Sequence, residues 1–100
     1  MEKVNIFLDN DSIIHISGSL NFYNCMDFKK KCALYTKKLN KISIDLRHLR
    51  SNDSSIILLI INIIRTSKPK RVVFINVSES IKKLLKSYKI DYIFSKYLTS

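Results

Sequence analysis

Apolar and polar positions along this chain change period several times, and the changes mark its elements. Val4, Ile6 and Leu8 alternate with polar neighbours, Asp9-Asn10-Asp11 interrupts, and Ile14 and Ile16 alternate again. This predicts an opening β-hairpin. Gly18, the only glycine, is expected to end it. From Asn24 the period becomes helical: Cys25, Phe28, Cys32, Tyr35 and Leu39 fall at alternating steps of three and four. Lys29, Lys30, Lys31, Lys37 and Lys38 lie mainly off that stripe. Asn24 is the expected N-cap, and Asp27 sits one turn before Lys31, within pairing reach.

The segment from Ile42 to Ile61 carries the most information. Ile42, Ile44 and Leu46 predict a strand over 41–45, followed by a polar turn. Asp53-Ser54-Ser55 then stands at the start of an almost unbroken apolar helix running to Ser67. A helix start gathers free backbone N–H groups and the positive end of the dipole, so a hydroxyl there is either a cap or a well-tolerated site for a phosphate. Pro69 cannot continue the helix, and Arg71 to Ile75 reads as a buried strand. Ser78 is the expected cap of a third helix, with Ile81, Leu84, Leu85 and Tyr88 inward and Lys82, Lys83, Lys86 and Lys89 outward. Asp91 to Leu98 is compatible with a short strand or a final helix whose Tyr92, Phe94 and Tyr97 fold back onto the core. The order β-β-α-β-α-β-α plus a short terminal element predicts one α/β domain over 1–100, with a mixed β-sheet packed against helices.

At about 100° per residue, Ile57, Ile60, Ile61 and Ile64 share one side of the central helix and are expected to face the sheet. Ser55, Asn62 and Thr66 define the other side, yet Leu58, Leu59 and Ile63 fall on or beside it. Such a helix is either covered by a neighbouring helix of the same domain or offers a docking face to a partner.

Composition adds limits. A chain of 100 residues with 46% hydrophobic content can build one small core. The formal charge of +10 allows attraction to an anionic partner, but 14 of the 18 basic residues are lysines spread over helix faces, which reads as solvated surface. No RRM aromatic motif, KH-type loop or zinc-finger spacing supports specific nucleic-acid binding. Cys25 and Cys32 lie two helical turns apart, too far for a disulfide, and are expected as reduced core residues of an intracellular protein. No metal or cofactor is implied. His15 and His48 have no nucleophile or carboxylate in a catalytic order around them and read as structural or solvated. The N-terminus lacks a signal-peptide core, and Ile56 to Ile64 is too short to span a bilayer.

With these elements in order, the chain resembles a STAS domain, the fold of anti-sigma-factor antagonists and of MlaB-type transporter subunits. The stretches that carry the resemblance are Ile16-Ser17-Gly18-Ser19-Leu20, Ile44-Asp45-Leu46 and Asp53-Ser54-Ser55. Arg71-Val72-Val73-Phe74-Ile75-Asn76 with Ser78, and Lys89-Ile90-Asp91-Tyr92-Ile93-Phe94, complete it. One departure stands out: the family usually has a glycine just after the Asp-Ser pair, where this chain has the β-branched Ile56.

The resemblance implies a STAS-like (SpoIIAA-like) fold and a non-enzymatic role. In its leading form the chain is an MlaB-like accessory subunit that stabilises or regulates the ATPase of an ABC-type phospholipid transporter. It would then be cytoplasmic and reach the inner membrane only through that complex. The implied docking residues are Asp53, Ser54, Ser55, Leu58, Leu59, Ile63, Ile81 and Leu85. On this reading Leu59→Asp and Ser54→Arg break the complex and leave the chain folded. The alternative is an anti-sigma-factor antagonist partnered by an anti-sigma factor kinase and switched by phosphorylation of Ser55 or Ser54. Ser55 matches the modified serine of such antagonists, and Ser54 the key hydroxyl of the MlaB-like proteins. Ile56 shifts the balance towards constitutive docking.

Overall fold

The computed structural model describes residues 5–51 and 53–98. The hairpin forms as expected, β1 (Asn5–Leu8) pairing antiparallel with β2 (Ile13–Leu20). Its turn is organised by Asp9, whose carboxylate accepts from the N–H groups of Asp11 (2.8 Å) and Ile13 (3.0 Å). After β2 come α1 (Cys25–Thr36), β3 (Lys41–Asp45), β4 (Leu49–Ser51) and α2 (Ser55–Ser67). The chain continues through β5 (Arg71–Ile75), α3 (Glu79–Ser87) and α4 (Asp91–Phe94), then a 3₁₀ turn at Ser95–Tyr97. The sheet runs β1-β2-β3-β5, with β3 parallel to both β2 and β5, so it is mixed as predicted.

Two departures from the sequence pattern concern β2. Gly18 does not end the hairpin. It lies inside β2 with φ 107°, a backbone setting that a side chain would obstruct, and its N–H donates to the His48 carbonyl at 3.1 Å. At this point β2 changes partner, from β3 to the short parallel strand β4. His15 faces Asp45 and Gly18 faces Leu49, so two residues of β2 oppose the three residues 46–48. The arrangement is that of a β-bulge, with one extra residue on the β3–β4 side.

The strand residues Ile14, Ile16, Ile42, Ile44, Val72 and Phe74 form one apolar layer. Phe28 and Cys32 of α1 join the same core, as do Ile56, Leu59, Ile60 and Ile63 of α2 and Ile81 and Leu85 of α3. Phe94 closes it, its ring 5.1 Å from that of Phe74. Each such side chain contributes about 1.5–3 kcal/mol by leaving water, so this shared core is the main source of stability.

The helix ends show where short-range chemistry acts. The α1 start is set by Asn21, whose side-chain oxygen accepts from the N–H groups of Tyr23 (2.8 Å) and Asn24 (3.0 Å). Asn24, the expected cap, instead ties α1 back to β2 by donating to the Ser19 carbonyl at 2.7 Å. Asp27 and Lys31 form no ion pair. Ser78 does cap α3, accepting from the Ile81 N–H at 3.3 Å. Tyr88, expected inward, is exposed where α3 ends, the chain then turning through Lys89 at φ 59°. The tail is helical: Phe94 is buried, Tyr97 half-buried and Tyr92 exposed. Among the described residues, no helix is long and apolar enough to cross a membrane.

Candidate functional site

Parallel strands send their C-terminal ends the same way, so the chain leaves β2, β4 and β5 for the first turns of α1, α2 and α3 at one end of the sheet. The Asp53-Ser54-Ser55 segment lies there. Ser54 is the N-cap residue of α2, its carbonyl accepting from Ile57 (3.0 Å) and Leu58 (3.3 Å), but its hydroxyl makes no cap hydrogen bond. The capping is done by Asp53. Its Oδ1 accepts from the Ser55 N–H at 2.9 Å and, in a short contact, from the Ser55 hydroxyl. Ser51 completes the cluster, donating to the Asp53 carbonyl at 3.1 Å with its own oxygen 3.5 Å from Ser55 Oγ. The Cys25 thiol donates to the Ser55 carbonyl at 3.7 Å, tying α1 to the same turn.

Asp53, Ser54 and Ser55 are thus brought together as the sequence suggests, but in different settings. Ser55 is fully enclosed, whereas Ser54 is half-buried. Asp53 lines a cleft of about 320 Å³ with Ser19, Leu20, Asn21, Arg50, Ser51 and Ser80. Its charge also reaches Cys25, whose thiol is pushed up from 9.0 chiefly by burial, with Lys29 opposing and Asp53 adding to the shift.

The exposed side of α2 is not the one expected. Leu59 and Ile63 are wholly inside, and Ile81 and Leu85 of α3 are equally enclosed. None of the four can touch a partner in the folded chain. Leu59→Asp would therefore bury a carboxylate and unfold the domain rather than test an interface. The bland alternative for these side chains, cover by the chain's own helices, is the one observed. The exposed residues of α2 are Leu58, Ile61, Arg65 and Thr66, with the half-buried Ser54 one turn before Leu58 on the same face. Leu58 is 45% and Ile61 42% exposed. Ile61, expected to face the sheet, is outward instead. The small Ser55 is a core residue, whereas Arg65 and Thr66 lie on the exposed side.

A second polar cluster has no single-residue signature. His15 Nε2 donates to Asp9 Oδ2 at 2.6 Å, and its Nδ1 lies 3.7 Å from Asp45 Oδ2. Phe7 stacks on the imidazole at 4.8 Å, and the Asn76 amide donates to the same Asp45 oxygen at 3.1 Å. The cluster fastens the hairpin turn to the end of β3, a structural role for His15. Among the described residues no group of His, Cys, Asp and Glu is arranged to hold a metal ion.

Comparison with curated proteins gives no match. Among solved structures, the fold is similar to the anti-sigma-factor antagonist SpoIIAA in its unphosphorylated form. The TM-score is 0.70 and the identity 14%, over 97% of this chain and 86% of that one. It is also similar to the Bacillus cell fate determinant SpoIIAA in the phosphorylated form, with TM-score 0.67 and 14% identity over 97% of this chain and 89% of that one. A family model, the STAS domain, matches residues 3–100. Its match over nearly the full sequence agrees with the mixed α/β fold, and the chain belongs to the STAS-domain family.

Proposed function

We propose that this chain is a non-enzymatic docking domain that regulates a partner protein in the manner of an anti-sigma-factor antagonist. It would meet an anti-sigma factor or its kinase through the outer face of α2. The observation that carries the reading is the outward row Ser54, Leu58 and Ile61. Two large aliphatic side chains, each nearly half exposed, follow on a half-buried serine at a helix N-terminus whose hydroxyl makes no cap hydrogen bond. Such a row supplies apolar contact area beside a position where added charge would be felt. Within this reading Ser54 is the phosphoacceptor. A phosphate on Ser54 would meet the positive end of the helix dipole. On Ser55 it would sit inside the fold against the Asp53 carboxylate that the hydroxyl now serves.

One observation favours a second reading, an MlaB-like accessory subunit that holds the ATPase of an ABC-type phospholipid transporter without a switch. The enclosed Ser55 and the buried Ile56 beside it leave the serine that matches the antagonists' modified residue out of a kinase's reach. The test is pull-down of the anti-sigma factor and of the transporter ATPase from the same genome by the wild type and by Leu58→Asp, together with mass spectrometry after incubation with the kinase and MgATP. Capture of the anti-sigma factor, its loss in Leu58→Asp and phosphate on Ser54 are expected. Capture of the ATPase alone, with neither serine modified, would move the assignment to the second reading. Binding that survives Leu58→Asp would remove the α2 face from both.

A further inference from the structure

A groove runs between β1 and α1, away from the α2 start. It has a volume of about 380 Å³ and is lined by Asn5, Ile6, Lys31, Leu34, Tyr35 and Lys38. Lys31, Leu34, Tyr35 and Lys38 are spaced by three, one and three, so they form one face of α1 and its C-terminal turn. Opposite them lies β1, the edge strand of the sheet, which pairs with β2 on one side only. Alternate residues of such a strand direct N–H and C=O groups away from the sheet, a template for one more strand. The groove therefore offers three things at once: an open strand edge, an apolar floor of Ile6, Leu34 and Tyr35, and a cationic rim. Neither Lys31 nor Lys38 makes an ion pair among the described residues.

We propose that this groove binds an extended acidic peptide segment of a partner protein, which adds as a strand to β1 with its carboxylates on Lys31 and Lys38. Strand addition gives main-chain hydrogen bonds, and the alternation of side chains places every second residue towards α1. Charge selects the occupant. A second copy of this chain would bring another net charge of +10 and a second pair of rim lysines against the first, whereas an acidic strand neutralises them. The groove lies towards the C-terminal half of α1. The α2 start meets the other end of that helix, at Cys25, so the inference stands independently of the α2 reading.

The probe is a fluorescein-labelled peptide of alternating valine and glutamate, titrated with the full chain and followed by anisotropy and by amide NMR shifts. Saturable binding is expected, with shifts centred on Asn5 to Leu8. Lys31→Glu combined with Lys38→Glu should weaken it about tenfold, since both side chains are exposed and each pair contributes modestly. The same peptide N-methylated at alternate amides should lose binding, because it cannot pair with an edge strand. Equal binding of the methylated peptide or of a valine–lysine peptide would overturn the proposal. So would shifts centred on Ser54 to Ile61, or dimerisation of the chain through β1 in the absence of peptide.

Discussion

The Asp53 carboxylate is the point at which the start of α2 is most open to test. Asp53→Ala removes the acceptor of the Ser55 N–H, a capping interaction that typically contributes about 1 kcal/mol. It also strands the fully enclosed Ser55 hydroxyl, which keeps only the Ser51 oxygen 3.5 Å away; a buried donor in that position costs about 1–3 kcal/mol. Together these give a loss of about 2–4 kcal/mol, a large share of the roughly 5–15 kcal/mol that holds a domain of this size. The melting temperature should fall by roughly 8–30 °C. Ser55→Ala alone should cost about 1 kcal/mol, since the carboxylate it leaves can take up water. In the double variant no hydroxyl is stranded, so its loss should fall short of the sum of the single losses by about 1 kcal/mol. Asp53→Asn keeps an acceptor oxygen and should cost less than about 1 kcal/mol. Urea unfolding followed by circular dichroism, at equal slope for all variants, measures each value. Additivity of the two alanine changes, or an Asp53→Ala loss below about 0.5 kcal/mol, would refute the hydrogen-bond arrangement.

Three further outcomes follow from burial and charge. Leu59→Asp should leave no cooperative unfolding transition, whereas Leu58→Asp, one residue away on the outer face, should change stability by less than about 0.5 kcal/mol; similar losses for both would mean that α2 is rotated otherwise. The Asp9 carboxyl is held below its ordinary 3.8, first by the His15 hydrogen bond and then by the Ile13 N–H. A depressed carboxyl stabilises the fold above its unfolded value and loses that contribution as pH falls through the folded one. The gap in urea midpoint between wild type and Asp9→Asn should thus narrow as pH drops from 5 to 3, and parallel curves would contradict it. Burial pushes the Cys32 thiol up to about 12, so iodoacetamide at pH 8 should label it only through unfolding, and more quickly in Asp53→Ala. A native labelling rate equal to that of a free thiol would count against the packing. Because the unfolded thiol ionises first, this group also lowers stability as pH rises above its ordinary 9.0.

Most of the fold was legible because periodicity reports burial directly. The alternation of Ile42 and Ile44 and the run Arg71 to Ile75 gave strands with the predicted limits, and Ser78 gave a true cap. β4 was not legible. Leu49-Arg50-Ser51 has no pattern of its own and becomes a strand only by lying against Gly18 to Leu20. Gly18 signalled an unusual backbone, but not that the strand continues through it. At the candidate site the residue types were legible and their directions were not. Serine is small enough to enter a core when its hydroxyl finds a carboxylate, so Ser55 imitated an outward position and displaced the reading of the whole helix. The Asp9, His15 and Asp45 cluster joins residues that only the hairpin and the parallel pairing of β2 with β3 bring together.

The change of partner along β2 has a consequence for how this segment can vary. β3 and β4 are two lengths of one course laid against the same strand, with one extra residue between them. Side-chain direction on a strand has a period of two, so the extra residue fixes the parity of everything that follows. It is the reason that Ser51 meets Ser55. Loss of a single residue from 46–48 would reverse that parity and turn the polar cluster at the α2 start away from its hydroxyl. Insertion of two residues would preserve it. The length of this short turn is therefore constrained as odd or even more tightly than as long or short.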